Sequence, residues 1–598
     1  MMFDPKNTER MFNAHPQIYA ILRTASSPEQ AREQLLDYLE NLTNSLNRDH
    51  TKEQPLKWHL QQSCLENVIR ILSPRSESLA EFSVIQLLWN LAQGNESELP
   101  ESLDNGFFEE MFHIFRGIQG KSGIYIAHKV QPFTHLNGRE AALERSHELD
   151  KIAEQAMSFI PRYPTGLQDD IIERRRDNKL RIQKVLGATE EDWNDYLWQI
   201  RHVIRDSGTL GTLIDLTHEE KKAIDIAKAN KLPFGITPYY VSLMDKQPDR
   251  SLDHAVRAQV IPPVNYVETM TENRANRSNC FDFMQEHDTS PIDLITRRYP
   301  RICIMKPYNT CSQICVYCQR NWEIDDVLDQ NAMATQQTIN KAVEWMSEHK
   351  TVTEVLVTGG DPLIMNTGRL DRVLEKISRI DHIERIRLGT RTPVVLPQRY
   401  TDDLVNVISA YHQPGKREMV VVTHFIHPYE ITPESMLAVQ KIKKQGISVY
   451  NQSVFTMENS RRFEHVALRR ALRLIGVDPY YTFNTKGKKE TENYRVPLAR
   501  LMQEIEEEAR IMPGMLRTDE PVYNVPRLGK NYIRARQHHT LLSVLPDGSR
   551  VYEFHPWEKY LSLVDTYVDT DVPIYQYLEK LKERGENPDH YKTIWYYF

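Results

Sequence analysis

The sequence predicts an α/β protein: a partial (β/α)6 barrel of parallel strands preceded by a mostly helical N-terminal domain. Two periodicities and one loop carry that prediction. Short apolar, β-branched runs recur at 302–305, 355–357, 386–388, 419–422, 449–454 and 479–483. They are mostly about 30 residues apart, with helix-like stretches such as 368–379 and 433–445 between them, which is the spacing of successive βα units. Residues 1–187 show helical periodicity instead, near 28–46, 57–73, 77–95, 140–158 and 168–186, with little strand signal. Just beyond the first barrel strand lies a loop holding three of the chain's six cysteines. A barrel of this kind carries its catalytic groups there, at the strand C-termini.

Composition narrows the class. The chain has 598 residues, long enough for several domains of roughly 100 to 200 residues each, and its 40% hydrophobic content supports sizeable cores. A net charge of -7 supplies no electrostatic reason to expect nucleic acid or an anionic membrane as a partner. No apolar run approaches the roughly 18 residues of a membrane span. Met1-Met-Phe-Asp-Pro-Lys lacks a signal peptide's basic and apolar regions. The expectation is a cytoplasmic protein, where cysteines stay reduced rather than paired in disulfides.

In chain order, the expected division is a helical accessory domain at 1–187, a helical lead-in at 188–297, the barrel at 298–490 and a C-terminal region at 491–598. The accessory domain reads as a packing or oligomerisation extension rather than a second catalytic site. In the lead-in, Thr217 reads as a helix cap that Glu220 helps to close. Trp193, Trp198 and Gln199, then Ile236-Thr-Pro-Tyr-Tyr240, read as core aromatics and caps. A polar, turn-prone stretch at 264–290 leads to Arg298-Tyr299-Pro300 and the first barrel strand.

The chemistry concentrates in Cys311-Ser-Gln-Ile-Cys315-Val-Tyr-Cys318. A C-x3-C-x2-C loop can wrap three corners of a [4Fe-4S] cube and leave the fourth iron without a protein ligand. Buried thiols acting as small hydrophobes are the bland alternative, but three clustered among polar residues do not suit it. A structural zinc site is the stronger rival; it wants a fourth Cys or His at finger-like distance, and no cysteine follows Cys318. After the second strand comes Thr358-Gly359-Gly360-Asp361-Pro362-Leu363, whose glycines let backbone approach a ligand closely; a tight turn explains a lone Gly-Gly pair equally well.

Together these motifs resemble the radical S-adenosylmethionine (SAM) enzymes, and the residues around them resemble the lysine 2,3-aminomutase family within that superfamily. The likeness runs in order from about Asp192 through Leu216-Thr-His-Glu-Glu220, Gly389-Thr-Arg-Thr-Pro393, Thr423-His424-Phe425 and Asn451-Gln452-Ser453-Val454 to Pro526-Arg-Leu-Gly529-Lys530. It does not reach into the helical extension. The resemblance implies a radical-SAM barrel with Cys311, Cys315 and Cys318 on the cluster. Gly359, Gly360 and Asp361 then meet the amino end of SAM, and Gln452 counts among the cofactor-binding positions. It also implies pyridoxal phosphate (PLP), carried by Lys530, with Tyr299 stacked on its ring and Arg298 at its phosphate. This chain departs from the family in the lysine segment, where Arg527 and Leu528 stand in place of a longer glycine run.

For the substrate, Arg320 matches the arginine that grips the carboxylate, a contact a guanidinium makes bidentately. Lysine-specific relatives place aspartates at two positions to hold the distal ammonium; here Lys486 and Asn524 fall there. That reversal resembles glutamate 2,3-aminomutase and points to glutamate or another non-cationic amino acid. Lys486 belonging to a solvated basic loop with Lys488 and Lys489 is an equal alternative. The reaction implied is a 1,2-amino shift begun by a 5'-deoxyadenosyl radical, fed by a reducing donor such as flavodoxin or ferredoxin. Rival readings are a radical SAM enzyme without PLP acting on a peptide or RNA, and a cluster-bearing regulator. The intersubunit zinc that some family members hold with cysteines beyond the barrel is not expected, while a homo-oligomer formed through other surfaces stays open.

Overall fold

In the computed structural model the described residues are 5–49, 55–124, 135–484, 488–535, 539–555 and 566–598. They fall into two compact units: Met1–Ala156 with Val496–Glu508 and Asn531–Phe598, and Met157–Arg495 with Ala509–Lys530. The second unit contains the barrel. Its sheet runs in simple order from β1 (Ile295–Thr296) through β2 (Ile302–Tyr308), β3 (Glu354–Gly359), β4 (Arg385–Gly389), β5 (Glu418–Thr423), β6 (Ser448–Phe455), β7 (Asp478–Asn484) and β8 (Glu520–Val525) to β9 (Gly529–Tyr532). β2 to β8 are all parallel, and β1 pairs antiparallel with β2.

The six predicted runs are β2 to β7. The parallel set is longer by β8, whose position breaks the βα rhythm because residues 496–508 leave for the other unit before the chain returns. Side-chain alternation follows strand geometry. Val355 and Val357 of β3 are fully buried in the main core, while Leu356 and Thr358 line the cavity described below. In β6 the buried set is Val449, Asn451, Ser453 and Phe455, and the cavity set includes Gln452 and Val454. Helices cover the outer face. The helix Thr367–Ser378 is capped by Asn366, whose side chain accepts from the Arg369 N–H at 2.9 Å. It buries Leu370, Val373, Leu374 and Ile377 in the same core, each contributing about 2 kcal/mol on full burial.

The unit boundary lies at Ala156, not near 187. Helix Asp169–Leu186 sends Ile171 and Ile182 into the core that holds the barrel strands, and Arg175 stands 4.1 Å over the Tyr429 ring. The lead-in shares that core through Trp193, Trp198 and Ile204, so it is not a separate layer. Thr217 and Glu220 do form the expected capping box.

The first unit collects helices from Pro5–Asn13 to Gly138–Met157, the three-stranded sheet β10 (His539–Val544), β11 (Arg550–Phe554) and β12 (Tyr567–Thr570), and the helix Ile574–Glu583. A buried pair ties its N-terminal helices to that sheet: Arg550 donates from Nε and Nη2 to the Glu110 carboxylate at 3.0 and 2.9 Å. No helix among the described residues is long and apolar enough to cross a membrane.

Candidate active site

The strand ends of the second unit surround a cavity of about 290 Å³. Cys311, Cys315 and Cys318 all line it, together with Gly359, Gly360 and Asp361 from the end of β3. The lead-in holds the cysteine loop in place. The Ile314 N–H donates to Gly235 O at 3.1 Å and the Val316 N–H to Gln259 O at 2.8 Å. From the other side, Lys488 donates to Cys318 O at 3.1 Å and Asn321 Oδ1 at 3.0 Å. Lys488 therefore anchors the loop. Burial first, and then Asp361 and the other two thiols, pushes Cys311 well above an ordinary thiol. Cys318 is raised too, by burial first and then by Cys315. Three thiols gathered on one cavity wall form a donor set suited to a shared cation or cluster.

The glycines are required by how closely the β3 turn meets the cysteine loop. Gly359 has φ +116°, and a Cβ on Gly360 would lie 2.1 Å from Thr310 O. The Asp361 N–H donates to Thr310 O at 2.9 Å. Its carboxylate is taken up by neighbours: Thr390 Oγ1 donates to both oxygens at 2.7 and 2.9 Å, and the Arg391 N–H donates at 2.8 Å. Asp361 thus organises the end of β4. That places Arg391 so that its Nη1 donates to Cys315 Sγ at 3.1 Å, while Nη2 meets Glu430 at 2.5 Å. Two unpartnered polar atoms, Gln259 Oε1 and Tyr317 Oη, are buried on residues of the cavity wall. His424 lines the cavity too, and burial brings its imidazole down to about 4, so it is neutral. Gln452 lines the cavity from the adjacent β6, and its backbone carbonyl oxygen meets His424 Nδ1 at 3.0 Å.

A second group forms around Lys530. Its ammonium stands 4.7 Å from the Tyr299 ring centroid and 4.5 Å from that of Tyr481. Burial, then the charges of Arg387 and Arg298, bring it down to about 8. The altered glycine run is accommodated by backbone conformation. Arg527 takes φ +60° and pairs with Asp288 at 2.8 Å, and Gly529 takes φ +88° against Tyr299. Arg298 is nearby and buried, with Nε and Nη2 lacking a hydrogen-bond partner. Nε is without a partner and Nη2 has only a 3.5 Å ion-pair contact with Glu286, so this edge has capacity for a phosphate.

Glu286 joins the two groups. Arg320, a cavity residue, donates from Nε to both Glu286 oxygens at 3.0 and 3.2 Å, Lys306 donates at 3.3 Å, and Arg298 lies 3.5 Å away. Burial opposes the charge, but these three cations hold the Glu286 carboxyl far below the usual carboxylate range. Asn524, on β8, lines the cavity; Lys486 lies outside the described residues. Glu286, Tyr481, Arg391 and Lys488 were not singled out as site residues. Arg391 stood in a motif, and Lys488 was read with a solvated basic loop whereas it is buried; an acid in a polar stretch or a tyrosine in a strand carries no local signal.

His254, His427 and Glu464 have metal-like spacing among the described residues. The Tyr429 N–H donates to His427 Nδ1 at 3.1 Å, so that ring carries its proton on Nε2 and donates it to Glu464 Oε1 at 3.2 Å. His254 Nε2 meets the same oxygen at 3.0 Å. The trio is a buried hydrogen-bonded anchor with no lone pair for a metal on His427 Nε2.

Comparison with known proteins adds to this geometry. The Radical SAM superfamily profile matches residues 305–469. An uncharacterised KamA family protein of Methanocaldococcus jannaschii is 43% identical over 98% of this chain and 97% of its own length. The glutamate 2,3-aminomutase of Clostridioides difficile is 34% identical over 59% of this chain and 79% of its own. The L-lysine 2,3-aminomutase of Methanococcus maripaludis is 34% identical over 54% and 71%.

Proposed function

This chain belongs to the KamA, or lysine 2,3-aminomutase, family of radical SAM isomerases, and from that premise we propose that it is a PLP-dependent 2,3-aminomutase that moves the α-amino group of glutamate, or a similar non-cationic amino acid, to the β-carbon. The observation that carries the substrate class is the charge of the cavity wall. Among the described lining residues the one carboxylate is Asp361, already engaged by Thr390 and Arg391; Arg320, Arg391 and Lys488 are cationic, each paired with a carboxylate behind the wall, Glu286, Glu430 and Glu490. A second substrate ammonium would lose its water there without gaining a free anion, which costs several kcal/mol by order of magnitude. Asn524 offers an amide to an acidic side chain instead. The similarity to glutamate 2,3-aminomutase agrees with that choice.

The donor sets fit the groups the family implies. Cys311, Cys315 and Cys318 would hold a [4Fe-4S] cluster and leave one iron for SAM, with Gly359 and Gly360 beside it. Lys530 would hold PLP between Tyr299 and Tyr481, with Arg298 at the phosphate. When bound, these groups supply a radical that removes hydrogen from the substrate's β-carbon and an electronic relay for the migrating nitrogen. The protein does the rest. Arg320 holds the substrate carboxylate with its terminal nitrogens, since Nε is committed to Glu286. Lys530, brought to about 8, is neutral in roughly a tenth of molecules at pH 7, far more than a solvated lysine, and so offers a lone pair on Nζ. Leu356, Val422 and Val454 line the cavity with apolar surface that excludes water from a reactive radical. Electrons come from an external donor of the flavodoxin or ferredoxin class.

The test is an anaerobic assay of reconstituted protein with SAM, PLP, reductant and a panel of amino acids, following β-amino products by NMR. β-Glutamate is the expected product; efficient formation of β-lysine defeats the reading.

A further inference from the structure

Glu286 sits between two arginines to which the proposed function gives separate tasks. It accepts from Arg320 Nε through both oxygens, at 3.0 and 3.2 Å, and its Oε1 lies 3.5 Å from Arg298 Nη2. Lys306 bridges it to Glu323, at 3.3 and 2.7 Å. Its own backbone is fixed: the Glu286 N–H donates to Asp282 Oδ1 at 2.9 Å, and Ser290 Oγ donates to Glu286 O at 2.8 Å. Glu286 is 2% exposed, so water does not compete for these contacts. A carboxylate that takes the Nε edge of one guanidinium leaves that guanidinium only its two terminal nitrogens, aimed away from the carboxylate. The same carboxylate sets where the second guanidinium rests.

We propose that Glu286 is the positioning residue that fixes the separation of Arg298 and Arg320, and through them the separation of the cofactor phosphate from the substrate carboxylate. The inference rests on the PLP-dependent reading above. A carboxylate spacing two anion sites is a different device from one that merely neutralises a basic pocket, and the two predict opposite signs. Removing a neutralising charge leaves Arg298, Arg320 and Lys306 uncompensated, which strengthens anion binding. Removing a positioning group frees the arginines to move apart, which weakens it.

Glu286→Gln and Glu286→Asp, each reconstituted with iron and sulfide, decide between them. The readouts are the PLP dissociation constant by absorbance titration, and KM and kcat for the amino acid turned over by the wild type. Positioning predicts that Glu286→Gln raises the PLP constant and KM at least tenfold each, with kcat falling less than threefold and iron content unchanged. Glu286→Asp keeps the charge but withdraws it by roughly 1.5 Å, one carbon–carbon bond, and is expected to raise both constants as well. Tighter or unchanged binding in Glu286→Gln, or wild-type constants in Glu286→Asp, overturns the proposal while leaving the aminomutase reading intact. Should Glu286→Gln fail to fold, the constants of Glu286→Asp alone decide. Wild-type protein that takes up no PLP through Lys530, judged against Lys530→Ala, overturns both.

Discussion

The Lys530 backbone N–H donates to the Tyr299 hydroxyl at 3.1 Å, and the same lysine's ammonium lies 4.7 Å from that tyrosine's ring centroid. Backbone and side chain of the lysine are thus both set by one aromatic, and a second ring, Tyr481, covers the ammonium at 4.5 Å. The residue is placed by the approach to the first barrel strand, a stretch that carries Tyr299, and by β7, which carries Tyr481.

PLP uptake is therefore expected to follow the titration of Lys530. Its ammonium is brought from 10.5 to about 8, so the reactive free amine appears two to three pH units earlier than for a solvated lysine. The rate of PLP loading should rise with pH and reach half its plateau near 8. Arg387 lowers the value by its positive charge, so Arg387→Leu moves the profile to higher pH. A stopped-flow absorbance series across pH 6.5 to 10 reads both, and a profile centred near 10 contradicts the burial of this lysine.

Gly529 and Arg527 are expected to respond in opposite ways. A methyl at Gly529 would meet the Tyr299 hydroxyl at 2.7 Å with φ at +88°, so Gly529→Ala should release Tyr299 from Lys530 and weaken PLP retention at least tenfold. Arg527 holds φ +60°, a conformation costing an L-residue about 1–2 kcal/mol, against an exposed ion pair worth up to about 1 kcal/mol. Arg527→Gly should leave stability and PLP retention unchanged or improved. Thermal unfolding and dialysis against PLP-free buffer measure the two effects.

The 3.1 Å contact from Arg391 Nη1 to Cys315 Sγ bears on the electronics of the thiolate. A cationic donor on a cluster sulfur stabilises the reduced, more negative state. Arg391→Gln should lower the cluster's midpoint potential, and Arg391→Lys should lower it less. EPR-monitored redox titration without substrate gives the answer, and an unchanged or higher potential in Arg391→Gln rules the effect out.

Asp519 and Arg469 set an acid limit on stability. Arg469 donates from Nε and Nη2 to the buried Asp519 carboxylate at 2.9 and 2.8 Å. Burial opposes that charge, but Arg469 wins and brings the group from 3.8 down to about 2. A carboxyl lowered on folding stabilises above its unfolded value and loses that contribution as the pH falls through the folded one. The pair should contribute about 2 kcal/mol above pH 4 that fades between 4 and 2. Asp519→Asn leaves a buried arginine without its anion and should cost about 3–5 kcal/mol at neutral pH. Chemical denaturation at pH 7 and pH 3 measures both.

Much of this was legible in the chain because it depends on neighbours in sequence. The six apolar runs became β2 to β7, the Thr217–Glu220 box formed, and three cysteines within eight residues had nowhere to go but one loop. β8 was missed because the chain visits the other unit before it, which breaks the repeat that periodicity detects. The boundary placed near 187 also moved, because helix Asp169–Leu186 has an amphipathic face like those before it, and only the partner surface shows which core that face joins.

The sequence alone marked out the radical SAM barrel: the thiol spacing, the glycines after β3 and the strand rhythm are local, and local patterns survive without a fold to display them. Where the charges meet was decided by tertiary structure. Glu286 reaches Arg320 across 34 residues, and Lys530 reaches Tyr299 across 231, separations over which nothing in a linear pattern constrains distance. Contacts of that range are chosen by how strands and loops close around a common cavity, since burial and Coulomb energy depend on position in space rather than on order along the chain.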